Sequence, residues 1–269
     1  MNFLEKKDFI MTNKTNFIYN EDAREMEELK QSIVDLVITS PPYFNLVDYK
    51  SSKQIGFAET YQRYLQSLNQ VWKRCIDSLK DDGTICINVC STVEITRKNQ
   101  NCYYDIKHDI EKYFVNHGFY IEGTIIWDII NSKYIENQVY KFNDIYSNEN
   151  TLILNNYEYV MIFKKRKGFI KHSKVFSETR LLDYIWHIPW DYSTRPPAFP
   201  KELVNKLIEI YSIGKDVILD PFMGQATTAI CSFENNRNFI TYETNRKTYV
   251  QGKKLLQKIG ALDNYKEDC

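Results

Sequence analysis

Short apolar runs alternate along this chain with stretches in which apolar residues recur every three or four positions. Seven runs have the length and the β-branched or aromatic content of strands: NFIY (16–19), VDLVIT (34–39), TICINV (84–89), YIEGTIIW (120–127), EYVMIF (158–163), DVILD (216–220) and NFITYE (238–243). The longer spacing predicts helices over 22–30, 59–80, 104–117, 200–212, 226–235 and 245–259. In the second of these, Tyr61, Leu65, Leu68, Trp72, Ile76 and Leu79 form an amphipathic stripe that packs on a core. Strands alternating with helices imply an α/β fold, a mostly parallel sheet covered on both faces. Two regions break the rhythm: 128–156, rich in Asn, Asp, Ser and Tyr, and 164–199, basic at first and then aromatic around Pro189, Pro196, Pro197 and Pro200. Loops of this length are functional or disordered.

The length, 269 residues, suits one large domain, or a domain with one insertion. No run of eighteen apolar residues exists and the first residues lack a sustained apolar stretch after their charges, so neither a membrane span nor a secretory leader is expected and a cytoplasmic protein is. The six cysteines are scattered without a CxxC pair and only four histidines accompany them, so they read as reduced thiols, mostly in the core, and no metal site is expected. Lys plus Arg and Asp plus Glu both number 35, so any site for a polyanion must be local. The one strongly one-signed stretch holds Lys164, Lys165, Arg166, Lys167, Lys171 and Lys174, which reads equally as a solvated loop or a nucleic-acid contact.

Near the C-terminus DVILDPFMGQATTAI reads as strand, turn and helix. Gly224 lets the backbone approach a ligand, and the helix start offers free N–H groups. The following strand ends in Glu243, whose carboxylate can accept both hydroxyls of a ribose. The glycines that admit a pyrophosphate are missing, which points to a nucleoside cofactor without one. Earlier in the chain VDLVIT runs into Ser40-Pro41-Pro42-Tyr43. The prolines stiffen this segment and leave it rich in carbonyl acceptors. It is either a rigid turn or a grip for an amino group, with its protons accepted at Ser40 and the Pro41 carbonyl and a planar base stacked on Tyr43.

With SPPY after one strand and DPFMGQATT after another, the chain resembles the amino-methyltransferase family of restriction-modification systems, in the order of its β class. The likeness extends over nearly the whole chain: TSPPYFNLVDYK, QIGFAETYQRYLQSL and LKDDGTICINV resemble the family's catalytic half, YEYVMIFKKRKG a later strand, and RPPAFPKELVNKLIEIYSIGKDVILDPFMGQATT the segment leading into the cofactor loop. It implies a seven-stranded, mostly parallel, Rossmann-like sheet, circularly permuted, with 1–127 as catalytic half, 128–199 holding one core strand and the irregular target-recognition segments, and 200–269 as cofactor half. It implies S-adenosyl-L-methionine as cofactor and double-stranded DNA as partner. A cognate restriction endonuclease would act on the same site without stable association.

By the same resemblance Ser40, Pro41, Pro42 and Tyr43 are catalytic, and Asp220, Pro221, Phe222 and Gly224 line the methionine side of the cofactor. Glu243 binds its ribose, Asp22 either approaches its adenine or caps a helix, and Phe199, Pro200, Thr227 and Thr228 shape the pocket. Two positions depart from the family: Ala226 stands where a second glycine is usual, which would put a methyl where the backbone passes the ligand, and Arg195 replaces a common histidine. SPPY inclines the resemblance toward cytosine N4, with adenine N6 as the alternative. A DNA reader that has lost the cofactor through Ala226, or transfer to RNA or a protein amide, are the remaining readings. Tyr184, Trp186, Trp190 and Tyr192 either contact DNA or pack a small core of their own.

Overall fold

A computed structural model describes residues 16–29, 31–45, 47–90, 93–97, 100–129, 157–166, 183–189 and 199–262. Along the chain they form β1 (Phe17–Tyr19), β2 (Val34–Thr39), α1 (Tyr61–Ser78), β3 (Leu79–Cys90), β4 (Val93–Arg97), β5 (Gln100–Tyr104), α2 (Ile106–Asn116), β6 (Tyr120–Asp128), β7 (Tyr157–Lys164), β8 (Ile185–His187), α3 (Lys201–Tyr211), β9 (Val217–Asp220), α4 (Thr227–Glu234), β10 (Asn238–Tyr242) and α5 (Arg246–Lys258). Each of the seven apolar runs is a strand.

The main sheet has the order β1-β10-β9-β2-β3-β7-β6-β8. All its pairings are parallel except those of β7, which runs against both β3 and β6. Strands β9 and β10 thus lie between β1 and β2, the permuted arrangement that the motif order implies. Every residue of β2 is buried, as expected of a central strand covered on both faces. Side chains divide by the two-residue period. Val37, Ile85, Ile87, Met161, Phe163 and Leu219 face α1 and α2 in one core. Leu36, Ile38, Cys86, Val160, Ile162 and Ile218 face Leu203, Val204, Leu207 and Ile208 of α3 in a second. A third, smaller core packs α5 and α4 on β10.

Polar caps set several helix starts. Thr60, Asp105 and Asn245 accept from the backbone N–H of Arg63, His108 and Thr248. The buried face of α1 consists of Tyr64, Ser67, Leu68, Val71, Trp72, Cys75 and Ser78, while Tyr61, Leu65 and Ile76 are only partly buried against the same core. The true stripe is thus turned slightly from the expected one.

Four features differ from the sequence reading. The helix expected over 22–30 is, in its described part, a series of turns, with Met26 at φ 34°. Asp22 is therefore no helix cap; its carboxylate accepts the Arg24 backbone N–H and turns the chain. An eighth strand, β8, pairs with β6 inside the segment read as irregular, and its Trp186 joins the second core. A hairpin of β4 and β5 follows β3. Among the described residues no helix is long and apolar enough to cross a membrane.

Candidate active site

Because β1, β10, β9, β2 and β3 are parallel, the residues that follow them gather at one edge of the sheet. Thr39, the last residue of β2, donates its hydroxyl to Asp220 Oδ1 at 2.8 Å. The chain then enters Ser40-Pro41-Pro42-Tyr43. Tyr64 of α1 donates its hydroxyl to the Pro42 carbonyl at 3.0 Å. The Tyr43 hydroxyl donates to Glu158 Oε1 at 3.0 Å. Next in sequence, Phe44 is fully buried among the rings of Tyr61, Tyr64 and Tyr104. The chain is thus pinned at three successive residues, Pro42, Tyr43 and Phe44.

Beyond these residues the chain loops out and is tied back to the start of α5. Asn245, the cap of α5, donates Nδ2 to the Tyr49 carbonyl at 2.7 Å. Gln54 braces the same loop, with Nε2 donating to the Val47 carbonyl at 2.6 Å and Oε1 accepting the Tyr49 N–H at 2.7 Å.

On the other side Asp220 ends β9 and the chain turns through Pro221 to Ala226 into α4. Asp220 Oδ1 also accepts the Phe222 N–H at 3.0 Å. Burial pushes its carboxyl up to about 6, although Thr39, Phe222 and Thr228 hold it back. Glu243, just past β10, accepts Gly224 N–H on Oε2 at 3.2 Å and Asn245 N–H on Oε1 at 2.7 Å. Burial raises its pKa too, the hydrogen bonds from Asn245 and Gly224 opposing. Each oxygen keeps a lone pair for a ligand.

These pieces enclose a cavity of about 480 Å³. Ser40, Pro41, Pro42 and Tyr43 line it together with Asp22, Phe199, Asp220, Pro221, Phe222, Gly224, Thr227, Thr228 and Glu243. Pro200 is not on its wall; it is buried at the N-cap of α3. The size suits a nucleoside ligand. A cationic ligand would favour the ionised forms of Asp220 and Glu243 that burial opposes.

A single cavity therefore joins a Ser-Pro-Pro-Tyr loop to an acidic, nucleoside-sized pocket. The family model described as DNA methylase, of the N6/N4 type, matches residues 34–254, a span that includes both. The chain belongs to this DNA methylase family. It is 27% identical to the type II methyltransferase M.MjaI of Methanocaldococcus jannaschii, over 84% of this chain and 86% of that protein. Among solved structures it resembles TTHA0409 of Thermus thermophilus complexed with S-adenosyl-L-methionine, at 25% identity and a TM-score of 0.68, covering 92% of this chain and 97% of that one. The PvuII DNA methyltransferase shares the fold, with a TM-score of 0.68 at 18% identity over 94% of this chain and 89% of that one. The protein is a DNA amino-methyltransferase of the N4/N6 type with S-adenosyl-L-methionine as cofactor.

Within this DNA methylase, Ala226 does not stand where the ligand passes. It is fully buried, is absent from the cavity wall, and packs in the third core with Met223 and Leu256. Its departure from glycine is felt in the backbone instead, at φ 62° and ψ 22°.

The basic stretch needs a larger correction. Since β7 is antiparallel to its neighbours, the residues that end it emerge at the edge opposite Ser40, about 20 Å away for a strand of this length. Lys164 is buried, paired with Glu122 at 3.1 Å and set 5.5 Å above the Tyr211 ring. Lys165 Nζ donates to the Leu79 carbonyl at 2.7 Å, and Arg166 lies 3.4 Å from Asp81. None of the three is at the mouth of the cavity. Lys167, Lys171 and Lys174 lie outside the described residues, as do Arg195, Trp190 and Tyr192.

The methylase cavity also uses residues that the sequence reading passed over. Asn88, Trp127, Tyr49, Gln54, Lys247 and Gln251 line it as well. Glu158 stands behind Tyr43. For Asn88 and Glu158 a signal existed: each is a polar residue in an apolar run that is buried in a central strand.

Proposed function

We propose that this methyltransferase acts on the exocyclic N4 of cytosine in duplex DNA, on a base rotated out of the helix. The observation that carries the reading is the continuity of one cavity from Pro41 to Glu243. A base still stacked in a duplex cannot reach an interior site of this kind, so extrusion is required. Ser40 and the Pro41 carbonyl accept the protons of the amine, which turns its lone pair toward the cofactor. The Pro42 carbonyl already accepts from Tyr64, which supports Pro41 for that part. Tyr43 supplies the stacking face. Glu243 takes the ribose hydroxyls, Asp22 approaches the adenine, and Asp220, Phe222 and Gly224 hold the methionine side. Bound S-adenosylmethionine supplies an electrophilic methyl group.

The amine of cytosine is a poor nucleophile because its lone pair is conjugated with the ring. Rate is gained by holding the nitrogen in line at short distance and by accepting hydrogen bonds from the amine as the new N–C bond forms and the S–C bond breaks, the surplus proton then leaving to solvent. A neutral serine at the head of the motif supports cytosine. Ala226 facing the core removes the reason for a non-catalytic DNA reader. Choice of target sequence is assigned to the segments within 128–199, and a cognate endonuclease would cut the same sequence.

The test is incubation with S-adenosylmethionine and unmethylated genomic DNA, then nuclease digestion and mass spectrometry of the nucleosides. N4-methylcytosine is the expected product. N6-methyladenine would keep the chemistry and reverse the base. Cofactor binding without any methylated DNA nucleoside would move the substrate to RNA or protein.

A further inference from the structure

Glu158 is the second residue of the apolar strand β7 in the interior of the sheet, opposite Cys90 of β3 and Trp127 of β6, and is 5% exposed. Among the described residues it has no lysine or arginine partner. Instead its Oε1 accepts the Tyr43 hydroxyl, which reaches over β3 from the catalytic loop. The Asn88 side chain touches the same carboxyl. Asn88 Nδ2 is engaged by the Tyr159 carbonyl at 3.2 Å. Two buried oxygens then stand without a donor, Glu158 Oε2 and Asn88 Oδ1.

We propose that Glu158 is a positioning residue for the target base: by accepting the Tyr43 hydroxyl from within the sheet, it fixes the plane and depth of the Tyr43 ring on which the base stacks. This rests on the reading of Tyr43 as the stacking residue.

The chemistry of the surroundings agrees. The ionisable groups that face the carboxyl are Tyr43 and Tyr49 from the catalytic loop and Cys90 from β3. Burial pushes all three up, so each is neutral at pH 7, and no cation acts on Glu158 among the described residues. Burial likewise raises the carboxyl's own pKa, against the opposing hydrogen bonds of Asn88 and Tyr43. The prolines hold the backbone of the loop but leave the tyrosine side chain free to turn. Its hydroxyl is the natural handle, and a displacement of about 1 Å at the reacting nitrogen is worth up to about 100-fold in rate.

The experiment compares wild type, Glu158→Gln, Glu158→Ala, Tyr43→Phe and the double variant Tyr43→Phe/Glu158→Ala by kcat and KM for duplex DNA between pH 6 and 9. Glu158→Ala and Tyr43→Phe should each lower kcat about 10-fold or more with cofactor affinity unchanged. The double variant should be no worse than the poorer single one. Glu158→Gln, which keeps an acceptor for Tyr43, should recover most of the lost kcat.

Glutamine as poor as alanine, or losses that multiply in the double variant, would overturn the proposal while leaving the methylation reading intact. A wild-type protein that methylates no nucleoside overturns both. If Glu158→Ala does not fold, the near-isosteric Gln and Phe variants still decide it, because Tyr43→Phe must lose kcat and Glu158→Gln must not.

Discussion

The hydroxyl of Thr39 donates to Oδ1 of Asp220 across 2.8 Å, joining the ends of β2 and β9 although the two residues are 181 positions apart. Both side chains are buried. The bond fastens the start of the Ser-Pro-Pro-Tyr loop to the start of the cofactor loop, so the two halves of the site are set relative to each other by strand pairing and one side-chain contact. It also sustains the charge of Asp220 at a position from which water is excluded.

A pH dependence of stability follows. Burial moves the Asp220 carboxyl from 3.8 to about 6 in the folded protein. The folded state therefore holds this proton more tightly than the unfolded chain, and the contribution of Asp220 to stability is greatest below about pH 4 and falls as pH rises to about 6. The loss, about 3 kcal/mol, is complete above that range. Asp220→Asn should remove that part of the slope, as read by urea unfolding of the cofactor-free protein at a series of pH values. Identical slopes in both proteins would mean that Asp220 titrates normally.

Glu243 braces Gly224 and Asn245 with one lone pair of each oxygen, and its proposed role is to take the ribose hydroxyls with the others. Glu243→Ala should weaken S-adenosylmethionine binding by about 10- to 100-fold, the effect of losing one or two charge-assisted hydrogen bonds. Calorimetric titration measures it. Affinity within a factor of two of wild type would take the ribose role away.

Replacing Ala226 by glycine trades relief of a left-handed backbone at φ 62° against one buried methyl. These terms are each about 1 kcal/mol and opposed, so stability should change by less than about 1 kcal/mol. Cofactor affinity should not change, because the methyl faces the core. Binding tightened about 10-fold would return the methyl to the cavity.

Lys164 should behave as a core residue. Lys164→Ala is expected to cost about 1–3 kcal/mol in unfolding free energy through the lost ion pair and packing on Tyr211. Neutralising Lys165 and Arg166 should leave stability within about 0.5 kcal/mol and the salt dependence of DNA binding unchanged. A slope reduced by about one per residue would bring DNA to the far edge of the sheet.

What the chain's sequence determined by itself is local. The seven apolar runs are strands because alternation and β-branched content act over a few residues, and five of the six expected helices form where spacing and caps coincide. The two loops that make the site were legible for the same reason: a proline pair or a turn glycine acts on its own backbone. The residues from 22 to 29 misled because apolar spacing there serves burial of Ala23 and Met26 in turns.

Tertiary structure decided whatever depends on the direction of a strand among its neighbours. Lys164 ends an apolar run like any other residue before a loop. Only the antiparallel setting of β7 sends it to the edge away from Ser40 and beneath Tyr211. The same setting brings Glu158, at the other end of that strand, to Tyr43. Likewise the side to which the Ala226 methyl points depends on α5 packing against its loop. Strand formation rests on short-range patterning, but strand order and direction rest on contacts between distant residues, and those contacts determine which side chains meet at the site.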